Sequence, residues 1–340
     1  MRINKIKPQA VLLLLAITVA CQAQKLRLGE IEFFGTGGIN TEKVRASVPL
    51  QEGDEISLDA LPDLIPRVRE AIKGTIGKEQ TDLSTVCCDE RANLMIFVGL
   101  PGKNVEISAY NAQPTGSVSF PQTVMYLYQR EMDLNMEAVQ KQAVEDRSKG
   151  YALSLYPPLR AKQLAMREYA TRNASFIRRV LQQSTDAQQR SVAAQLLGYA
   201  IQDHKQIASL VLASRDRDEG VRNNAIRALG VLAQSSQKIA SSIPAVNFVR
   251  MLNSGIWTDR NKGAYLLSIL TVRRDARLLR LLRLRALVSI VEMARWRNPG
   301  HADSARLILG RVAGIDENLL QQLVAAHDLK RIIGALEQPQ

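Results

Sequence analysis

The sequence predicts a mainly α-helical chain, in which a stack of two-helix repeats follows a small α+β domain of order β-α-α-β-β. Three observations predict it. Four segments of the second half superimpose on one another with Arg190, Arg222, Arg260 and Ala302 in one column, at intervals of 32, 38 and 42 residues that suit a two-helix unit with variable loops. Aromatic residues make up only 5% of the 340, as in Leu- and Ala-rich helices and unlike an all-β protein. Residues 25–101 carry strand-like runs and Gly-rich turns instead of the helical repeat.

The best repeat copy is 218–233, DEGVRNNAIRALGVLA. Val221, Ala225, Leu229 and Leu232 fall on one stripe of a helix, Asp218 caps its start, and Arg222, Asn223, Asn224 and Arg227 occupy much of the opposite side. Ile226 lies off the stripe, which implies neighbours on two sides. Three residues after the arginine column come Ala193, Ala225, Gly263 and Ala305; Leu197, Leu229, Leu267 and Leu309 follow. The small residues let a neighbouring helix approach and the leucines fill the shared core. Upstream of each copy runs a second apolar helix, at 176–181, 207–212, 243–252 and 278–294. In its aspartate, Val-Arg, alanine and leucine positions this segment resembles the HEAT-repeat family, strongly in one copy, fairly in two and weakly in the fourth. The resemblance implies a HEAT-like α-solenoid over 174–315, with Arg190, Leu197, Arg222, Ala225, Leu229, Arg260, Leu267 and Leu309 as its repeat-defining residues. It implies binding of protein partners, with a HEAT-like lyase or other small-ligand enzyme as the alternative.

Taken in order, the chain opens with MRINKIKPQ, a basic segment, and AVLLLLAITVA, an apolar run of eleven residues that is short for a membrane span. A secretory signal over 1–23 is expected. Cleavage after Ala23 leaves Cys21 and Ala23 at the positions a signal peptidase reads; cleavage after residue 20 makes Cys21 a lipidation site, although Thr18 stands where a lipobox has leucine. The formal charge is +12, and loss of 1–23 removes three basic and no acidic residues, leaving +9. The expected location is the bacterial envelope or periplasm, with or without a lipid anchor. Cys87 and Cys88 are adjacent, a spacing that seldom suits a disulfide, and they are read as two small strand residues without a disulfide framework, with a redox role for the pair as the alternative.

Over 24–101, Ile31 and Phe33 alternate with Glu30 and Glu32 as a strand, with Leu26 and Leu28 in the opposite phase, so a bulge is expected near Gly29. The turn Gly35-Thr36-Gly37-Gly38 leads to a short helix at 41–48. It sits where phosphate-binding loops occur but lacks their Lys-Ser/Thr ending, and is read as a turn. Leu61, Leu64, Ile65, Val68 and Ile72 form a helical face, with Asp63 as the expected cap so that Pro66 falls in the first turn. Strands at 83–88 and 94–100 close the segment. In LRLGEIEFFG, the Gly53 turn and LMIFVGL it resembles a POTRA domain, a periplasmic module that binds clients partly by adding a strand to a sheet edge. No barrel strands and no terminal aromatic follow, which speaks against a direct role in membrane insertion.

Residues 102–120 read as a linker with one short alternation at Val105 and Ile107. Connecting and capping helices are expected over 121–173, with Val124, Tyr128, Met132, Val139 and Ala143 buried, and further capping helices and a tail over 316–340. The segment 273–297 carries eight arginines against two acids. Arg273, Arg277 and Arg280 recur at helical spacing with Arg283 beside them, and Leu278, Leu281, Leu282 and Val288 form an apolar face. Such a helix suits anionic lipid, an acidic cell-wall polymer or an acidic protein surface, or it is a solvated face whose arginines pair with nearby acids. Nucleic acid is not expected as a partner, because the basic residues lack interleaved aromatics. His204, His301 and His327 have no second His or Cys at metal-ligand spacing, and are read as surface or capping residues. No nucleophile elbow occurs. No catalytic constellation, metal site or cofactor is predicted, and the expected function is that of an exported, non-catalytic scaffold.

Overall fold

The computed structural model describes residues 25–87 and 89–337. The expected signal segment, with Cys21, lies outside those residues, as does Cys88. The small domain consists of β1 (Lys25–Phe34), α1 (Thr41–Ser47), β2 (Glu55–Ser57), α2 (Leu61–Ile76), β3 (Asp82–Cys87) and β4 (Leu94–Gly99). Its sheet has four strands, not three, in the order β2-β1-β4-β3, because the short β2 pairs antiparallel with the free edge of β1. β1 runs parallel to β4 with a register shift between Leu28 and Ile31, at the expected bulge. Asp63 is not the cap of α2. The helix starts at Leu61, which puts Pro66 inside it and takes the i+4 donor from the Pro62 carbonyl. Pro62 is exposed, so water can replace that donor.

β4 is buried along its whole length because both faces of the sheet are covered. Ile96 and Val98 join Val44, Val68 and Ile72 beneath α1 and α2, whereas Met95 and Phe97, with Phe34 of β1, belong to the core of the helical part. The sheet is therefore a layer between two helical surfaces.

The helical part begins with α3 (Gln122–Gln140), a two-stranded hairpin of β5 (Glu145–Asp146) and β6 (Leu153–Ser154), and α4 (Pro157–Gln183). α4 is kinked at Asn173, whose backbone is non-helical, next to the expected repeat boundary at 174. Its second half and α5 (Ala187–Leu197) form the first pair; α6 (His204–Ala213) and α7 (Glu219–Ser235) the second. In the third pair the outer helix is broken into α8 (Gln237–Ser242), α9 (Val246–Val249) and a 3-10 turn, followed by α10 (Trp257–Leu270). In the fourth it is α11 (Ala276–Arg285) and α12 (Leu287–Ala294), packed on α13 (Pro299–Val312). The inner helices touch in series, α5 on α7, α7 on α10 and α10 on α13; α14 (Glu317–Ala325) and α15 (Leu329–Gly334) close the far end against α13. Asp186, Asp203, Asp218, Asp275, Asp316 and Asp328 each cap the helix that follows by accepting a backbone N–H.

Leu197, Ala225, Leu229, Leu267 and Leu309 are all fully buried between these helices. On α3 the buried set is Val124, Glu131, Leu134 and Ala138, whereas Met132 and Val139 face outward, a half-turn from the expected stripe. The reason is that α3 lies over a polar part of the stack and buries its Glu131 carboxylate there, while Met132 lines the open rim of the same pocket.

Residues 101–121 are no free spacer. Glu106 bonds to Asn253, Asn111 to the Arg215 carbonyl, Gly116 to Thr185 and Phe120 to the Gln189 side chain. The segment runs back over the loops in front of α10, α7 and α5 in turn, and ties three repeats together.

Candidate functional site

The arginine column is buried, not solvent-facing: Arg190, Arg222 and Arg260 are at most 1% exposed. Each guanidinium fills the loop that precedes its own helix and reaches an acid further along the chain. Arg190 donates to the carbonyls of Ser184 and Thr185 (both 3.0 Å) and bidentately to Asp216 (both 2.8 Å). Arg222 donates to the carbonyls of Asp216 and Arg217 and to Asp259 (2.7 Å). Arg260 donates to the Ser254 carbonyl and to Glu292 (both 2.6 Å). In the fourth copy Ala302 occupies the column, and Arg306 one turn later bonds the Ala294 and Trp296 carbonyls instead.

Glu292 carries this ladder into the small domain. Its carboxylate accepts from the backbone N–H of Gly35 and Thr36 (both 2.8 Å) and from the Thr36 hydroxyl (2.5 Å). Gly35 is at φ 67° with the Leu100 carbonyl beside it, where a side chain would collide. The glycine turn thus holds an anion, and that anion belongs to the protein itself. Beside it Phe97 lies 4.9 Å from Trp257, 5.1 Å from Trp296 and 5.4 Å from His301, ring centre to ring centre. Each such pair adds about 0.5–1.5 kcal/mol beyond area burial. At the rim, Arg297 bonds Glu32 (2.9 Å) and Glu52 (2.5 Å) across the junction. That hydrogen bond to Arg297 holds the Glu52 carboxyl down at about 2.

A second polar cluster lies on the inner helix face. α3, α5, α7 and α10 enclose a pocket of about 220 Å³ lined by Glu131, Gln195, Asn223, Asn224, Arg227 and Lys262. Glu131 accepts from Gln195 (2.8 Å), and burial pushes its carboxyl up. Glu145 of the hairpin meets Arg147 (2.8 Å) and Arg227; burial alone would raise it, but the two guanidiniums hold it low. Lys262 is pushed down to about 8 by burial and by Arg227 and Arg147. The Tyr265 hydroxyl meets Arg147 at 3.4 Å, and the missing Cβ of Gly230 makes room for its ring. The arrangement offers amides and charged heads for recognition of a small polar group.

The remaining predicted residues fall elsewhere. Residues 273–297 do not form one amphipathic helix: the chain breaks at Arg274, in the left-handed region, and again between α11 and α12 at Ala286. Arg277 and Arg280 are exposed on α11; Arg273 bonds Ser241, Arg283 the Leu336 carbonyl, and Arg274 pairs with Glu317. Of the expected apolar face, Leu282 is buried but Val288 is 59% exposed. His301 is no surface histidine; it sits in the aromatic junction, and burial depresses it to about 4. Cys87 is disulfide-bonded, contrary to its reading as a simple strand residue, with a partner outside the described residues. Among the described residues no three His, Cys, Asp or Glu side chains form a metal site, and no helix is long and apolar enough to cross a membrane.

Sequence reasoning overlooked Glu131, Glu145, Arg147, Lys262 and Glu292. Part of the signal was present. One, two and five positions after the arginine column stand Ser191, Asn223 and Asn261; Asn224 and Lys262; and Gln195, Arg227 and Tyr265, a polar face repeated in successive inner helices. Comparison with models of known protein families gives no match, and comparison with curated proteins gives none either.

Proposed function

We propose that this protein is an exported, non-catalytic binding scaffold of the bacterial envelope, in which a POTRA-like domain and a HEAT-like solenoid act as one rigid unit. The observation that carries the reading is the continuous ladder Arg190–Asp216, Arg222–Asp259, Arg260–Glu292, which ends on the backbone of Gly35 and Thr36. The most deeply buried charges of the stack are committed to loop carbonyls and to acids further along the chain. That use fixes one surface relative to another, which a scaffold needs, and removes those groups from acid–base work.

Two exposed surfaces suit a partner: the outer edge of β3, at one end of the sheet, and the outer face of α11 with Arg277 and Arg280. A strand added to β3 is what the POTRA resemblance implies. Photo-crosslinking residues placed at Thr85 and at Arg280 of the exported chain test this. Discrete protein adducts from either position are expected. A folded, exported chain that gives no adduct at both would refute the scaffold reading. A second reading, small-ligand binding, is favoured by the inner-face pocket, which is too small for a tetrapyrrole.

A further inference from the structure

The polar cluster in and beside the inner-face pocket has more positive charge than its acids neutralise. Arg227 of α7, Arg147 after β5 and Lys262 of α10 converge on the single carboxylate of Glu145. Arg227 and Arg147 bond to it; Lys262, among the described residues, forms no ion pair or hydrogen bond. The other acid, Glu131, accepts from Gln195 and is raised by burial; even counted as charged, it leaves three cations facing two carboxylates. Tyr199 and Tyr265, which border the cluster, are both pushed up by burial and stay neutral; His301, on the far side of Lys262, is neutral as well. Arg227 and Lys262 are half-buried, so their charge is partly desolvated, and a bound anion offsets that cost.

We propose that this pocket binds a small carboxylate-bearing ligand, its carboxylate between Lys262 and Arg227 and its polar remainder against Asn223 and Asn224. The volume of about 220 Å³ equals about seven waters at ~30 Å³ each, which limits the ligand to a few heavy atoms beyond the carboxylate. A planar carboxylate matches the guanidinium fork, and a single negative charge matches Lys262, the pocket cation with no partner among the described residues. Lys262 and Arg227 sit in mid-helix, so no helix N-terminus is present to favour a phosphate dianion.

The inference stands apart from the scaffold reading, since crosslinking at Thr85 and Arg280 does not involve the pocket. Calorimetry of the mature full chain at pH 8 tests it, with acetate, succinate and inorganic phosphate as probes, in two buffers of different ionisation enthalpy. At least one carboxylate is expected to bind more tightly than phosphate, with uptake of about half a proton as the partly neutral Lys262 becomes fully charged. Lys262→Gln is expected to lose that uptake and about tenfold in affinity, and Asn224→Ala to weaken binding with the uptake kept. Far-UV circular dichroism identifies a variant that has not folded, in which case Lys262→Met replaces Lys262→Gln. No binding of either carboxylate by the wild-type chain, tighter binding of phosphate, or unchanged proton uptake in folded Lys262→Gln would overturn the proposal.

Discussion

Replacement of Glu292 by Gln tests the junction directly. The substitution keeps the shape of the side chain and removes its charge, leaving the Arg260 guanidinium, 0% exposed, with the Ser254 carbonyl and the face of Phe34 at 5.1 Å. One Arg260 nitrogen already lacks a partner among the described residues, so the residue has no slack to absorb the loss. Gly35 N, Thr36 N and the Thr36 hydroxyl lose a charged acceptor at the same time. Breaking a buried pair by removing one partner costs about 3–5 kcal/mol. The chain has two tryptophans, and both, Trp257 and Trp296, lie at this junction against Phe97. Tryptophan emission therefore reports docking of the small domain, and far-UV circular dichroism reports the helices. In urea the fluorescence midpoint of Glu292→Gln is expected to fall by about 1–2 M at an m of about 2–3 kcal/mol/M, while the dichroism midpoint falls less. The double variant Arg260→Met with Glu292→Leu strands no charge and is expected to recover much of the loss. A fluorescence shift below about 0.3 M, or a double variant as weak as the single, would refute the argument that the stranded charge dominates.

Four other outcomes follow from the same structure. His301 is held neutral, at about 4 against an ordinary 6.5, so the unfolded chain takes up its proton first; stability is expected to fall from about pH 6.5 toward 4, and His301→Gln to flatten that slope in a pH series of urea midpoints. Glu52, at about 2 against 4.5, contributes stability that is complete above 4.5 and lost as pH falls through 2; Arg297→Gln is expected to remove this acid limb. Gly230→Ala places a methyl inside the Tyr265 ring and is expected to cost about 1–3 kcal/mol by thermal unfolding. Arg277→Glu with Arg280→Glu changes two exposed side chains and is expected to alter unfolding by under about 0.5 kcal/mol, so any large effect on retention by anionic vesicles would report surface binding alone.

The repeat was legible because its leucines and alanines recur in a helical period, and every one of Leu197, Leu229, Leu267 and Leu309 is buried. The same columns misled about arginine. A charged side chain opposite an apolar stripe is ordinarily solvated, but Arg190, Arg222 and Arg260 lie near the start of their helices, where the preceding loop offers unpaired carbonyls within reach. Whether a guanidinium turns to solvent or back into such a loop depends on the backbone path of that loop, which periodicity does not encode. The continuous run LMIFVG held a clue that alternation-based reading passes over. A strand without a polar face has no solvent side, and here Phe97 and Met95 meet the helices while Ile96 and Val98 meet the small domain.

The pocket was harder to read, for a reason specific to its acids. Glu131 sits on α3 and Glu145 on a two-residue strand, neither of which belongs to the repeat, and each becomes part of a site only when α3 and the hairpin lie across α5, α7 and α10. Arg227 and Lys262 do belong to the repeat, on its recurring polar face. A stack of helical pairs normally turns that face to water, and polar side chains there need no partner. Once α3 covers it, the same side chains must pair or stay frustrated. Arg227 finds Glu145 and Asn224 finds Ser191, whereas Lys262 has no ion pair or hydrogen bond among the described residues. The unpaired amine is thus a product of how the segment before the repeats folds back over them, and that segment, more than the repeats themselves, sets what the inner face can bind.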